Sequence, residues 1–235
     1  MSAFLASVWL FGGLFGGGAD TVCITDAQAD RTMQEIRQQW PLRPSLDPVS
    51  VAVKELGRRL TQMVDPQGQH RWEFAVVRNL EPSAFALGGG RFVVSDGLVA
   101  FVRNESELAA VLAHEIAHQQ LDHFCRNAPR SAERIDLGGV MQHFDLALEQ
   151  KADAQAINLL TAAGLDPQAM AAVLRCLTQT PGDSSPQLTE RLNALRAVPT
   201  ASTTRPPADS AAFKRARSSV RDDFGEQHGG GTVCR

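Results

Sequence analysis

The middle of the chain carries the stretch ELAAVLAHEIAH, residues 107–118. Apolar side chains surround its two histidines, which predicts a buried helix. Residues four apart on a helix lie on nearly the same face, so His114 and His118 present their imidazoles to one point, as two zinc ligands require. Glu115 is the next residue round the helix, where a carboxylate can take a proton from water at the metal. The motif therefore supplies two ligands and a general base.

A chance match on an amphipathic helix is the alternative. In that case both histidines would be ordinary surface or core residues. The apolar neighbours Leu112 and Ile116 argue against it, because buried histidines and a buried glutamate are costly without a metal or hydrogen-bond partners.

A catalytic zinc ion also needs a third protein ligand. One scheme places a histidine six residues after His118, but that position is Phe124, and His123 is one residue off. We expect the helix to run from a cap at Asn104 to about Phe124. Its later side chains therefore cannot turn back to the metal.

Glu149 is the better candidate for the third ligand. It lies on a later helix predicted over residues 144–163, with Asp153 one turn on and so on the same face. Glu149 would bind zinc, and Asp153 would orient a ligand histidine through its free ring nitrogen. Because the same helix carries Gln150 and Lys151, spacing alone leaves a solvated helix face as an equal alternative.

The remaining pattern predicts an α+β fold, mainly helical with a small three-stranded sheet. Gly88, Gly89 and Gly90 allow a tight reversal or a close backbone approach between two of the strands. The predicted strands are residues 72–77, 83–87 and 91–94, and the other predicted helices are residues 26–40, 48–64, 96–102, 165–178 and 187–197.

The two ends of the chain differ from the domain predicted over residues 26–198. Residues 1–22 form an apolar leader that is too short and glycine-rich for a membrane span. We expect a signal peptide or a membrane anchor, and hence a location in the cell envelope, in the periplasm or at a membrane. Residues 199–235 are rich in Pro, Ala, Ser and Thr and predict a disordered tail, in which the basic cluster of residues 214–217 is solvated.

Composition limits the partners and the metal chemistry. The net charge is −3, which gives no indication of a nucleic-acid partner. The four cysteines include no C-x-x-C pair, so a cysteine zinc site is not expected. In an exported protein Cys125 could pair with Cys176 and Cys23 with Cys234, whereas in a reducing compartment Cys176 would be a small core residue.

Several further stretches occur in an order that is known from one family. They are LGRRL (residues 56–60), AFALGGG (84–90), ELAAVLAHE (107–115), EQKADA (149–154) and AGLDP (163–167). Together they resemble the M48 family of gluzincin metallopeptidases, over roughly residues 47–197. The resemblance implies a zincin-like fold in which His114, His118 and Glu149 bind one zinc ion, Glu115 is the base and Asp153 orients a ligand.

The resemblance also implies the kind of substrate. Members of the family cleave peptide bonds in unfolded or membrane-associated proteins. In that family the segment that matches residues 83–87, from Ser83 to Leu87, lies at the edge of the small sheet near the cleft. A polypeptide strand could pair with it there by β-augmentation.

One position departs from the family pattern. The family usually has His-Pro before a Glu-Arg pair, whereas Ser185-Pro186 precedes Glu190-Arg191 here. That histidine can gate the zinc or stabilise the transition state, and the chain has no tyrosine to replace it. Arg191 is the first candidate for stabilising the oxyanion and His143 the second, with a salt bridge to a carboxylate as the alternative for Arg191. Loss of one such donor typically costs about 100- to 1000-fold in rate.

The sequence therefore predicts a zinc-dependent endopeptidase that acts on unfolded or envelope proteins, with one Zn²⁺ per chain. Ser185 leaves open a zinc-binding quality-control protein of the envelope, which would hold unfolded chains with little or no cleavage. A helical domain with fortuitous histidines is a third reading, and it predicts no stoichiometric zinc.

Overall fold

The computed structural model describes residues 23–126, 145–179, 186–196 and 207–224 of the 235-residue chain. Most of these residues are helical and three short strands form one sheet, so the predicted fold class is confirmed. Within the same ranges, no helix has the length and apolar composition that a membrane span needs. The elements are α1 (Asp26–Gln39), α2 (Pro48–Val64), β1 (Glu73–Val77), β2 (Ala84–Ala86), β3 (Arg91–Ser95), α3 (Asp96–Phe101), α4 (Glu105–Gln120), α5 (His123–Arg126), α6 (Leu146–Ala162), α7 (Ala169–Gln179), α8 (Pro186–Leu195) and α9 (Ala211–Phe224).

The sheet has the strand order β1-β3-β2. β1 and β3 run parallel, and β2 runs antiparallel to β3 at one edge. Gly88, Gly89 and Gly90 form the turn between β2 and β3 with φ of 84°, 55° and 74°, a backbone conformation that glycine adopts without strain. A Cβ atom on Gly90 would also collide with the carbonyl oxygen of Arg71. The glycines thus provide both the reversal and the close approach.

The outer side of β2 has no neighbouring strand in the described part of the chain. The N–H of Leu87 donates to the carbonyl oxygen of Arg91 at 2.8 Å, which turns this residue toward β3. Because hydrogen-bonded positions alternate in an antiparallel pair, the N–H and C=O groups of Ala84 and Ala86 point to the open side. An extended chain could add to the sheet there.

Helix α4 lies at the centre of the core. Asn104 caps its start as predicted, with the side-chain oxygen accepting from the N–H of Glu107 at 3.0 Å. The helix contacts α2, α6, α7 and β2, and Leu108, Leu112 and Ile116 are completely buried. Each such side chain contributes about 1.5–3 kcal/mol on burial. The two motif histidines are therefore held on a helix that is fixed from several sides.

The prediction that α4 runs to about Phe124 is wrong, because the helix ends at Gln120. Asp122 has a φ of 55°, a left-handed conformation that stops a right-handed helix and that aspartate tolerates better than most residues. The chain turns there into α5, and the first residue of α5, His123, is 1% exposed. The sequence pattern did not show this turn, because it depends on one φ angle and leaves the spacing of the apolar residues unchanged.

A disulfide joins Cys23, just before α1, to Cys125 in α5. The pairing considered from the sequence, Cys125 with Cys176 and Cys23 with Cys234, is therefore wrong. Cys176 packs in the main core, and Cys234 lies outside the described residues, as do the leader, His143 and Ser185. A cross-link between residues 102 apart stabilises a fold by about 4–5 kcal/mol in the chain-entropy account, and it holds α5 against the start of α1.

Part of the tail that was predicted to be disordered is a docked helix. α9 packs against α2 and α3, and its buried stripe is Phe213, Ala216 and Val220, at 1%, 0% and 2% exposure. The spacing of these residues is that of a helix face. This apolar stripe is short and lies on the same helix as the basic cluster. The polar composition of the tail therefore gave no prediction of a helix here.

Charged side chains also tie α9 to the domain. The guanidinium of Arg43 is fully buried and contacts Asp223 at 2.5 Å, Asp96 at 2.9 Å and Asp47 at 3.0 Å. A buried cation is costly unless carboxylates compensate it. This cluster therefore joins the end of α9 to the starts of α2 and α3.

We expect Phe213→Ala to lower the free energy of unfolding by about 3–5 kcal/mol, because it deletes a buried aromatic ring and leaves a cavity. Arg215→Ala, on the exposed side of the same helix, should change this free energy by less than about 0.5 kcal/mol. Urea unfolding of both variants measures the difference. Equally small effects would mean that α9 does not pack against the domain in solution.

Candidate metal centre and active site

Three side chains from α4 and α6 converge on one point. Nε2 of His114 lies 3.0 Å from Nε2 of His118. The carboxylate of Glu149 lies 3.3 Å from the first nitrogen and 3.4 Å from the second. The structure thus brings together the three residues that the sequence suggested as metal ligands, and Glu149 faces the histidines rather than solvent.

The separations fit a tetrahedral zinc ion. Zinc binds histidine nitrogen and carboxylate oxygen at about 2.0–2.2 Å, so neighbouring ligand atoms lie about 3.3–3.6 Å apart. The two separations from Glu149, 3.3 and 3.4 Å, lie in this range, and the nitrogen–nitrogen separation of 3.0 Å is slightly shorter. Two ring nitrogens face each other stably at such a distance only if one carries a proton or both bind one cation. Three protein ligands also leave a fourth position for water or substrate, as in catalytic zinc sites.

The ligand positions follow from the packing of α6 on α4. Asp145 caps α6 by accepting from the N–H of Leu148 at 3.0 Å. The two helices pack against each other, and both bury alanines completely, among them Ala117 on α4 and Ala152 on α6. Small side chains let two helices approach closely, and a glutamate side chain can then reach the histidines of the neighbouring helix.

A charged layer formed by Asp153 and Arg191 lies behind the ligands. Oδ1 of Asp153 is 2.9 Å from Nδ1 of His114, although the two atoms are not aligned as in a regular hydrogen bond. Arg191 donates to both oxygens of Asp153 at 2.8 and 2.7 Å, and its Nη1 lies 2.7 Å from Glu149. This is the carboxylate ion pair that was the alternative for Arg191. Stabilisation of an oxyanion by Arg191 stays a prediction.

The other ligand histidine contacts a residue to which the sequence assigned no role. Nδ1 of His118 lies 2.8 Å from Nδ1 of His123, and each residue is 1% exposed. His123 was set aside because its spacing does not suit a ligand, and it touches the far side of a ligand instead. The sequence feature that could have drawn attention to His123 is the presence of a further histidine shortly after the motif.

Burial and ion pairs shift the pKa values of the three candidate ligands in different directions. Burial alone would lower the pKa of His114, but its contacts with Asp153 and Glu149 raise it to about 10. Burial lowers the pKa of His118 to about 4, so this ring is neutral at neutral pH. Burial disfavours the ionised form of Glu149, yet the two histidines and Arg191 hold the pKa of its carboxyl well below the usual range. A bound metal would take the place of the proton on His114.

Glu115 connects the ligand helix to the sheet. Its Oε2 accepts a hydrogen bond from the backbone N–H of Ala86 at 3.0 Å. Burial raises the pKa of Glu115 to about 7, with Glu149 adding to the shift and His114 and the Ala86 N–H opposing it. A carboxylate with a pKa near neutrality suits proton transfer at neutral pH. The sequence could not predict the hydrogen bond from Ala86, because any residue other than proline can donate its backbone N–H.

The known proteins that this chain resembles are peptidases. A model of Peptidase family M48 matches residues 50–135, which include the two motif histidines and end before Glu149. The chain is similar to the mitochondrial metalloendopeptidase OMA1 of Schizosaccharomyces pombe, with 29% identity over 203 residues, 68% of this chain and 60% of the relative. It is similar to the beta-barrel assembly-enhancing protease of Yersinia pestis, with 31% identity over 176 residues, 61% of this chain and 35% of the relative. The protein of that name in Escherichia coli O157:H7 is 32% identical over 155 residues, 53% of this chain and 32% of the relative. The chain thus spans less than two thirds of the length of each of these relatives.

We expect Arg191→Met to lower the free energy of unfolding of the metal-free protein by about 3 kcal/mol, because the fully buried Asp153 loses its two-point partner. Arg196→Met, at an exposed residue just after the end of α8, should change it by less than about 0.5 kcal/mol. Chemical denaturation in the presence of a chelator measures both values. Indistinguishable variants would show that the ion pair does not support the fold.

Proposed function

The chain belongs to peptidase family M48, and from this premise we propose that it is a zinc-dependent endopeptidase. The observation that carries the proposal is the convergence of His114, His118 and Glu149 beside Glu115. His114, His118 and Glu149 would hold the metal, and their separations support zinc. A zinc ion there would supply Lewis acidity, which would polarise a peptide carbonyl and lower the pKa of water so that hydroxide is available near neutral pH.

Glu115 would act as the general base and then as the general acid. It is next in sequence to a ligand, so its carboxylate can reach a proton on the attacking water. It would take that proton and deliver it to the leaving amine, which completes hydrolysis of the peptide bond. The hydrogen bond from Ala86 fixes one of its oxygens and leaves the other for the proton. Asp153 would hold the ring of His114 from behind.

The open side of β2 supports an extended polypeptide as the substrate. The outward N–H and C=O groups of Ala84 can pair with a second strand, whose backbone bonds give affinity without a sequence requirement. Ala86 touches the base, so a strand bound at this edge would lie beside the metal position. An unfolded or loosely structured chain readily offers such a strand, and unfolded proteins are therefore the substrate class that we propose.

The names of the relatives suggest a location and a setting. One is called a mitochondrial metalloendopeptidase and others are called beta-barrel assembly-enhancing proteases. We propose that this chain also acts in the cell envelope or at a membrane, on proteins that have failed to fold there. The leader of residues 1–22, which suggested export or anchoring, lies outside the described residues.

Replacement of Glu115 by Gln should leave the metal site intact and remove the base. We expect Glu115→Gln to retain one zinc per chain and to hydrolyse unfolded casein about 10²- to 10⁴-fold more slowly than the unaltered protein. Elemental analysis and a peptide-release assay measure the two quantities. Glu55→Gln, on the exposed face of α2, is the control and should match the unaltered protein in both.

The same assay with a chelator separates the rival readings. Chelator should stop hydrolysis and added zinc should restore it. A protein that binds zinc and casein but releases no peptide would be the non-cleaving quality-control protein. A protein without stoichiometric zinc would be the helical domain with fortuitous histidines.

The edge strand can be tested with Ala84→Pro. Proline removes an N–H that points away from β3, so the ladder of the sheet is kept while a bond to substrate is lost. We expect KM for an unfolded substrate to rise roughly 3- to 10-fold, the equivalent of about one backbone hydrogen bond, with zinc content unchanged. Ala84→Ser keeps the N–H and should retain the original KM. Equal KM values for the two variants would contradict substrate pairing at β2.

A further inference from the structure

The contact between His118 and His123 has a definite proton requirement. Their Nδ1 atoms lie 2.8 Å apart, and the planes of the two rings meet at 71° with centroids 4.9 Å apart. At this distance one nitrogen must donate and the other accept. Both rings are buried at 1% exposure, so bulk water does not compete for the bond.

Metal binding decides which ring donates. His118 presents Nε2 to the other two candidate ligands, and a nitrogen that binds a metal carries no proton. A neutral His118 that is bound through Nε2 must then carry its proton on Nδ1 and donate it to His123. Nδ1 of His123 is the acceptor, so the proton of that ring belongs on Nε2.

We propose that His123 is a positioning residue of the metal centre, which holds His118 in the tautomer and ring orientation that bind zinc through Nε2. This inference rests on the proposed metal site and adds to it a residue outside the candidate ligand set. It also gives each ligand histidine a partner on its far ring nitrogen, Asp153 for His114 and His123 for His118. Such partners typically contribute 10- to 100-fold to metal affinity.

The two partners differ in charge, and the charges near the metal account for the difference. Glu115, Glu149 and Asp153 are three carboxylates, opposed in this cluster by the guanidinium of Arg191. With all three ionised, a zinc ion brings the sum to zero. A fourth carboxylate behind His118 would add a buried charge without compensation. A neutral imidazole accepts the same hydrogen bond at no cost in charge.

The fold delivers His123 to this position by a turn rather than by helical spacing. A straight continuation of α4 would place residue 123 five positions beyond His118 and so on another face of the helix. The left-handed Asp122 ends the helix and reverses the chain. The buried Phe124, at 4% exposure, and the disulfide of Cys125 to Cys23 then hold α5 in place next to His123.

Two substitutions distinguish the hydrogen bond from simple packing. Asn in place of His123 keeps an acceptor, because its Oδ1 takes the position of Nδ1, whereas Leu fills the space without an acceptor. We expect His123→Leu to weaken zinc binding about 10- to 100-fold and His123→Asn by less than about threefold. Competition with a chromogenic chelator at one fixed pH measures the affinity. His70→Leu, at an exposed histidine near Asp65, is the control and should bind zinc like the unaltered protein.

The inference fails if His123→Leu binds zinc as tightly as the unaltered protein, or if Leu and Asn weaken binding equally. Thermal unfolding of the zinc-free variants shows whether each one folds. Long-range ¹H–¹⁵N spectra of the unaltered, zinc-loaded protein test the proposal without any substitution. They should show a proton on Nδ1 of His118 and on Nε2 of His123, and the opposite tautomer in either ring would overturn it. An unaltered protein that takes up no zinc would overturn the proposed metal site and this inference with it.

Discussion

The charge of Asp153 is the constraint on which the arrangement of the site depends. This carboxylate is completely buried, and it is compensated by the ring of His114 and the guanidinium of Arg191. An unpaired charge in such a place costs several kcal/mol. Helix α8, which carries Arg191, must therefore pack against α6, and the same guanidinium then reaches Glu149. The compensation of one buried carboxylate thus brings together three helices and orients two of the three candidate ligands.

Features that repeat within one helix could be predicted from the sequence. His114 and His118 share a face because they are four residues apart, and Glu149 and Asp153 share a face for the same reason. Contacts between elements could not be predicted in this way. Whether Arg191 meets a carboxylate or the substrate depends on how α8 packs against α6, and the sequence left both readings open. The disulfide of Cys125 and the docking of α9 depend likewise on chain segments more than 100 residues apart, for which a periodic pattern carries no information.

The position of helix α5 depends on one backbone angle, the φ of 55° at Asp122. The sequence predicted that α4 continues through Phe124. In such a helix His123 would lie on a different face from His118 and could not contact it. The left-handed Asp122 turns the chain back, and burial then brings His123 to the far nitrogen of His118. The disulfide links this short helix to the residues just before α1. The geometry of one candidate ligand is therefore connected, through Cys125, to a residue that lies 102 positions earlier in the chain.

The contact between Glu115 and Ala86 joins the proposed chemistry to the proposed substrate edge. The outward N–H of Ala86 already donates to Glu115, so an incoming strand can use the outward groups of Ala84 and the carbonyl oxygen of Ala86. If the strand competed for the Ala86 N–H, the carboxylate would lose the bond that fixes it and the proton transfer would lose its geometry. A strand that leaves this bond in place is restricted to registers that pair at Ala84. Through its backbone, β2 therefore constrains where a peptide bond can lie relative to the proposed base.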